Sequence, residues 1–119
     1  GAKMYPKTGG TVSNAAVLKV NAPKRTKASI GKVGEEDLFK FTAVSDGRYV
    51  IDTQGSTDVV VKLFGPNSET ALIAEDDDSG IDTNALIARD LIAGTYFVQV
   101  RHYNHEAGVG NYSIKVRKM

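Results

Sequence analysis

From Leu91 to Val100 the chain reads Leu-Ile-Ala-Gly-Thr-Tyr-Phe-Val-Gln-Val. After the turn at Gly94, Tyr96, Val98 and Val100 alternate with Thr95, Phe97, Gln99 and Arg101. Successive side chains of a strand point to opposite faces, so this pattern predicts a strand with Tyr96, Val98 and Val100 buried. The design recurs along the chain. Phe39, Phe41 and Ala43 share a phase, as do Tyr49 and Ile51, Val61 and Leu63, and Tyr112, Ile114 and Val116. Turn-forming residues fall every 8 to 12 positions or so, and no helical period can be laid down without meeting Gly or Asp. The expectation is one all-β domain, an antiparallel sandwich with these in-phase residues as its core. Asp46-Gly47 reads as a hairpin turn between two of its strands.

At 119 residues the chain can bury a core without covalent staples, and it contains no cysteine. That excludes disulfides, thiolate catalysis and thiolate-bound metals. A formal net charge of +1 gives no general attraction to nucleic acid or anionic membrane. Charge is nevertheless uneven. Six acidic residues and no basic one lie between Glu69 and Asp82, whereas residues 1–34 carry Lys3, Lys7, Lys19, Lys24, Arg25, Lys27 and Lys32. No apolar run approaches the roughly 20 residues of a membrane span, and no signal peptide is recognisable. The opening Gly1-Ala2 is consistent with an excised piece of a longer protein, so the start carries no information on export. Residues 1–15 read as a linker or entry segment and 16–119 as the domain.

No reactive constellation stands out. The two histidines, His102 and His105, lie in one loop without helical spacing, and no serine occupies a Gly-x-Ser-x-Gly elbow. Carboxylates are abundant but gather in turns rather than in apolar pockets that would raise their pKa. Asp76-Asp77-Asp78-Ser79-Gly80-Ile81-Asp82 invites a different reading. Alternate carboxylates converge in extended chain, adjacent anions repel, and Ca²⁺ takes six to eight oxygens. Asp76, Asp77, Asp78 and Asp82 are therefore candidate calcium ligands; equally, they can accept hydrogen bonds from turn amides. The EF-hand pattern is absent, because the sixth position from Asp76 is not glycine.

On the strand from Gly94, outward parity falls to Phe97, Gln99, Arg101 and Tyr103. On the last strand it falls to Ser113, Lys115 and Arg117. If the two strands are neighbours, they present two aromatics beside three cations, a composition common in binding hot spots. The same face could instead pack against another domain.

Several stretches taken in order resemble the bacterial pre-peptidase C-terminal domain, a module related to the collagen-binding domains of secreted collagenases. They are Asp37-Leu38-Phe39-Lys40-Phe41, Gly47-Arg48-Tyr49-Val50-Ile51, Thr57-Asp58 with Leu63-Phe64, Asp76-Asp77-Asp78-Ser79-Gly80, Leu91 to Val100, and Gly110-Asn111-Tyr112-Ser113-Ile114-Lys115-Val116. The resemblance implies a jelly-roll-like sandwich joined to a secreted metallo- or serine peptidase, with no catalysis of its own. It implies an extracellular, monomeric, non-catalytic module whose partners are the parent peptidase domain and an insoluble or fibrous protein substrate such as collagen. The alternative is a structural domain that aids folding or secretion of the parent and is later removed. The resemblance also implies a second calcium position, at Glu35, Glu36 and Asp37, although the linker that would complete it offers Asn14 and no carboxylate. Collagen-binding relatives use tyrosines on an outward sheet face, where this chain has the two aromatics Phe97 and Tyr103, a partial match.

Overall fold

The computed structural model of the protein describes residues 15–78, 80 and 84–119. Within these, every regular element is a strand: β1 (Ala16–Val17), β2 (Thr26–Ile30), β3 (Glu36–Ala43), β4 (Gly47–Gln54), β5 (Val59–Phe64), β6 (Leu72–Asp76), β7 (Leu86–Leu91), β8 (Gly94–His102) and β9 (Gly110–Lys118). They form a five-stranded sheet, ordered β1-β3-β8-β5-β6, and a four-stranded sheet, ordered β2-β9-β4-β7. Every pairing is antiparallel except the short β1 against β3. Among the described residues no helix is long and apolar enough to cross a membrane.

The two sheets bury the faces that period-2 alternation assigns to the interior. Phe39, Val98 and Leu63 stand in one cross-strand row with Ala16 and Ala74 at its ends. Val116, Ile51 and Ile87 form the facing row. Every one of these in-phase residues, from Phe39 to Val116, is buried. Shifting β3, β5 or β9 by one residue would turn Lys40, Lys62 or Lys115 into the core, so the register is firmly held.

The outer faces are less polar than simple alternation predicts. Leu38, Val50, Val60 and Phe97 point away from the core yet are buried. Phe97 lies between Lys40 and Phe64 in its row. Long lysine stems beside an apolar ring can lie along it while their charges stay in water.

One expectation fails. Asp46-Gly47 does not close a hairpin, because β3 and β4 belong to different sheets. The turn is an arch that carries the chain across the sandwich. Its cause is visible two residues later. The Tyr49 hydroxyl donates to the Ser45 carbonyl at 2.6 Å, and its ring sits 6.2 Å from that of Phe41. A second arch, between β7 and β8, repeats the device. There Tyr96 OH donates to the Ile92 carbonyl at 2.7 Å and stacks on the same Phe41 at 5.5 Å. The arches are tied together by Ala93 N–H donating to Asp46 Oδ1 at 2.9 Å. The aspartate that suggested a hairpin turn thus braces a neighbouring crossing.

Candidate functional site

β8 runs through the middle of the five-stranded sheet and aims its outward residues along one line. Gln99 lies between Leu38 and Lys62, and Arg101 between Glu36 and Val60. Tyr103 follows at the strand's end and is 60% exposed. Phe97 shares their parity but at 5% exposure offers no free aromatic surface. Lys115 and Arg117 are not part of this face. β9 lies in the other sheet, so the neighbour relation on which a single six-residue face depended does not hold. The structure brings Gln99, Arg101 and Tyr103 together and places Lys115 and Arg117 on the opposite side of the molecule.

Arg101 is held in place by backbone. Its Nη1 donates to the carbonyls of His102 and Tyr103, at 3.0 and 3.4 Å. A recess of about 290 Å³ opens beside it, lined by Val60, Glu75, Asp76, Asp77, Arg101 and Tyr103. The acidic turn therefore adjoins the outward end of β8. Asp76 Oδ2 accepts from the Leu86 amide at 2.9 Å, linking the two edge strands β6 and β7. The Asp78 carboxyl is raised above the ordinary carboxylate range, chiefly by the charge of Asp77. Asp58, which sequence reasoning did not connect with this turn, is raised too, first by burial and then by Asp77. Its Oδ1 is shielded and has no hydrogen-bond partner among the described residues. Asp82 lies outside the described residues.

The two histidines do not converge. His102 Nδ1 accepts from the Asn104 amide at 2.9 Å, whereas His105 Nε2 faces Glu36 Oε2 at 3.4 Å. Among the described residues no three His, Asp or Glu side chains gather into a metal-binding set.

At the start of β3 the three acidic residues separate by parity. Glu36 turns outward to His105, and Asp37 turns into the core, where the residue is fully buried. Tyr112 OH donates to Asp37 Oδ2 at 2.5 Å, and Gly31 N–H donates to Glu35 Oε1 at 3.0 Å. Glu35 Oε2 and Asp37 Oδ1 remain shielded without a partner. Burial, then the Glu35 carboxyl beside it, pushes Asp37 up to about 8, while the Tyr112 hydrogen bond pulls it down. The Glu35 and Asp37 carboxyls interact at this depth, and a proton held between them, or a cation, relieves their repulsion. Sequence held one signal for this: Asp37 is in phase with Phe39 and Phe41, an acid at a core position.

The fold is similar to that of the "pre-Peptidase C-terminal Domain of Collagenase from Bacillus anthracis", with a TM-score of 0.70 and 18% identity over 86% of this chain and 93% of that one. It is also similar to PliG from Aeromonas hydrophila (TM-score 0.58, 18% identity, 86% and 95% covered). PliG from Salmonella Typhimurium matches in the same way (TM-score 0.57, 19% identity, 88% and 100% covered). Both are described as a periplasmic lysozyme inhibitor of g-type lysozyme. No family model and no curated protein sequence matches the chain.

Proposed function

We propose that this domain is a non-catalytic accessory module of a secreted peptidase, and that it grips protein substrate through the outward end of β8. The observation that carries this reading is the exposed Tyr103 beside a backbone-anchored Arg101, on a sandwich similar to a collagenase's pre-peptidase C-terminal domain. An aromatic ring and a guanidinium already fixed in place lose little freedom on binding, which favours them as anchors. Gln99 supplies a hydrogen-bonding amide one step further along the strand. Extracellular or periplasmic placement follows from the same reading.

Co-sedimentation with insoluble collagen and with gelatin tests it. The domain is expected to pellet with one of them, and Tyr103→Ala with Arg101→Ala to weaken binding by about tenfold or more. No affinity for any insoluble protein would favour the alternative, a domain that helps its parent fold or reach the outside and is then removed. Inhibition of a g-type lysozyme, with no binding to fibres, would favour the role carried by the PliG proteins.

Calcium forms part of the same proposal. Of the two acidic turns, the earlier fits a cation better, because Glu35 Oε2 and Asp37 Oδ1 are shielded and unpartnered there. Backbone carbonyls and water would have to complete the shell, since Ca²⁺ needs six or more oxygens. The cation's chemistry would be structural, drawing the two carboxylates together. Asp76, Asp77 and Asp78, with Asp82, are the second position. Melting chelator-stripped protein with and without millimolar Ca²⁺ discriminates them. A site filled to a hundredfold excess over Kd stabilises by about 2.7 kcal/mol, a rise in Tm on the order of 10 °C for a domain of this size. Loss of that rise in Glu35→Gln places calcium at the earlier turn; loss in Asp77→Asn with Asp78→Asn places it at the later one. Coincident curves remove calcium from the proposal.

A further inference from the structure

The outer face of the four-stranded sheet has a chemistry of its own. Along β9, Asn111, Ser113, Lys115 and Arg117 point outward, about 6.8 Å apart at each step. Ser113 sits in a row with Lys27 on one side and Gln54 on the other. A shallow groove of about 750 Å³ follows these rows, its walls including Lys27, Ser29, Gln54, Ser56, Asn111 and Ser113.

The charges on this face are not balanced. Asp52 is already paired with Arg25 at 2.9 Å, and Asp90 with Arg48 at 3.1 Å. Arg25 lies flat across β9, donating to Ser113 Oγ at 2.7 Å and to the Asp52 carbonyl at 2.9 Å. That leaves Lys27, Lys115 and Arg117 as cations with no carboxylate or hydrogen-bond partner among the described residues. A net charge of +1 for the whole chain hides this concentration, because the strands of this sheet carry only two carboxylates, Asp52 and Asp90, and both are paired.

We propose that this face binds a sulfated polysaccharide laid along β9. Lys115 and Arg117, one strand step apart on β9, and Lys27, on the adjoining β2 opposite Ser113, meet anions repeated along a chain. The hydroxyls and amides of Ser29, Gln54, Asn111 and Ser113 can hydrogen-bond the sugar hydroxyls between them. The face has no exposed aromatic ring on which a nucleobase could stack, since Tyr112 is buried. That disfavours single-stranded nucleic acid, whose sequence-independent binding relies on such stacking. The surface is separate from the proposed protein-binding end of β8, so the two readings stand or fall independently.

Fluorescence anisotropy of a labelled heparin fragment with the full chain tests the proposal. Binding is expected at about 50 mM salt and is expected to weaken steeply by about 200 mM, as counterions released on association demand. Lys27→Gln, Lys115→Gln and Arg117→Gln together should lower affinity by about tenfold or more. A control that removes the same charge elsewhere, Lys19→Gln with Lys40→Gln and Lys62→Gln, should change it less than about threefold. Lys27→Arg with Lys115→Arg keeps the charge and should retain binding, which separates lost contacts from lost folding. Equal losses in the two neutralised triples would overturn the site. So would absence of binding at the lower salt, or tighter binding of a single-stranded DNA of equal charge.

Discussion

Asp37 shows how one residue ties the interior to the pH of the medium. Free in an unfolded chain its carboxyl ionises near 3.8, and in the fold it does so at about 8. Across that window the folded protein holds a proton that the unfolded chain has released. Stability from this group is therefore complete below 3.8 and drains away as pH rises toward 8. In chelator, the domain is expected to lose a few kcal/mol, at most about 5, between those limits. Asp37→Asn stays neutral at every pH and keeps an oxygen for the Tyr112 hydroxyl, so its denaturation midpoint should vary far less with pH. An unsubstituted domain equally stable at both ends would show that folding does not raise the Asp37 pKa. Tyr112 itself is raised well above its usual value, by burial first and by Asp37 next, and stays a donor. Parity alone marks Asp37 as inward, so its burial was legible in the sequence. Its partners were not, because Tyr112 lies 75 residues away and meets it across the two sheets.

At the scale of elements, what sequence conveys is which residues face inward; what it conveys poorly is which strands are neighbours. Period-2 alternation is a local property, and each residue it assigned to the core is buried. Pairing is non-local. Asp46-Gly47 has the chemistry of a tight turn, but whether its flanking strands pair or cross depends on Tyr49 reaching back to Ser45 and on Phe41 receiving two tyrosine rings. The same limit split the expected binding face, since outward parity on β8 and β9 is correct while their adjacency is not. Arg25 illustrates a contact no local pattern announces. It is one of seven basic residues in the first 34, yet it reaches across β9 to fasten the β2 end of the sheet to β4. Arg25→Ala is expected to cost roughly 1–2 kcal/mol, and to speed amide exchange in Thr26–Ile30 by tenfold or more while the β3 and β8 amides change no more than global stability requires. Unchanged exchange in that strand would show that the strap holds nothing.

For the molecule as a whole, seven of the eight connections pass from one sheet to the other, and only β5 and β6 are both consecutive and paired. The last strand, β9, is an interior one, flanked by β2 and β4. Without it β2 has no hydrogen-bonded neighbour, β4 keeps only β7, and Asp37 loses its tyrosine. A chain ending at residue 109 should accordingly lack the cooperative thermal transition of the full chain, whereas deletion of only Met119 should leave it intact. Dominance of distant pairings also sets a refolding time in the millisecond-to-second range. On a ribosome the consequence is one of timing. Until β9 emerges, β2 has no partner and β4 is paired on one side only, so the four-stranded sheet is completed only after Lys118 has left the exit tunnel. Until then one face of the core lacks the row of Tyr112, Ile114 and Val116 that covers it.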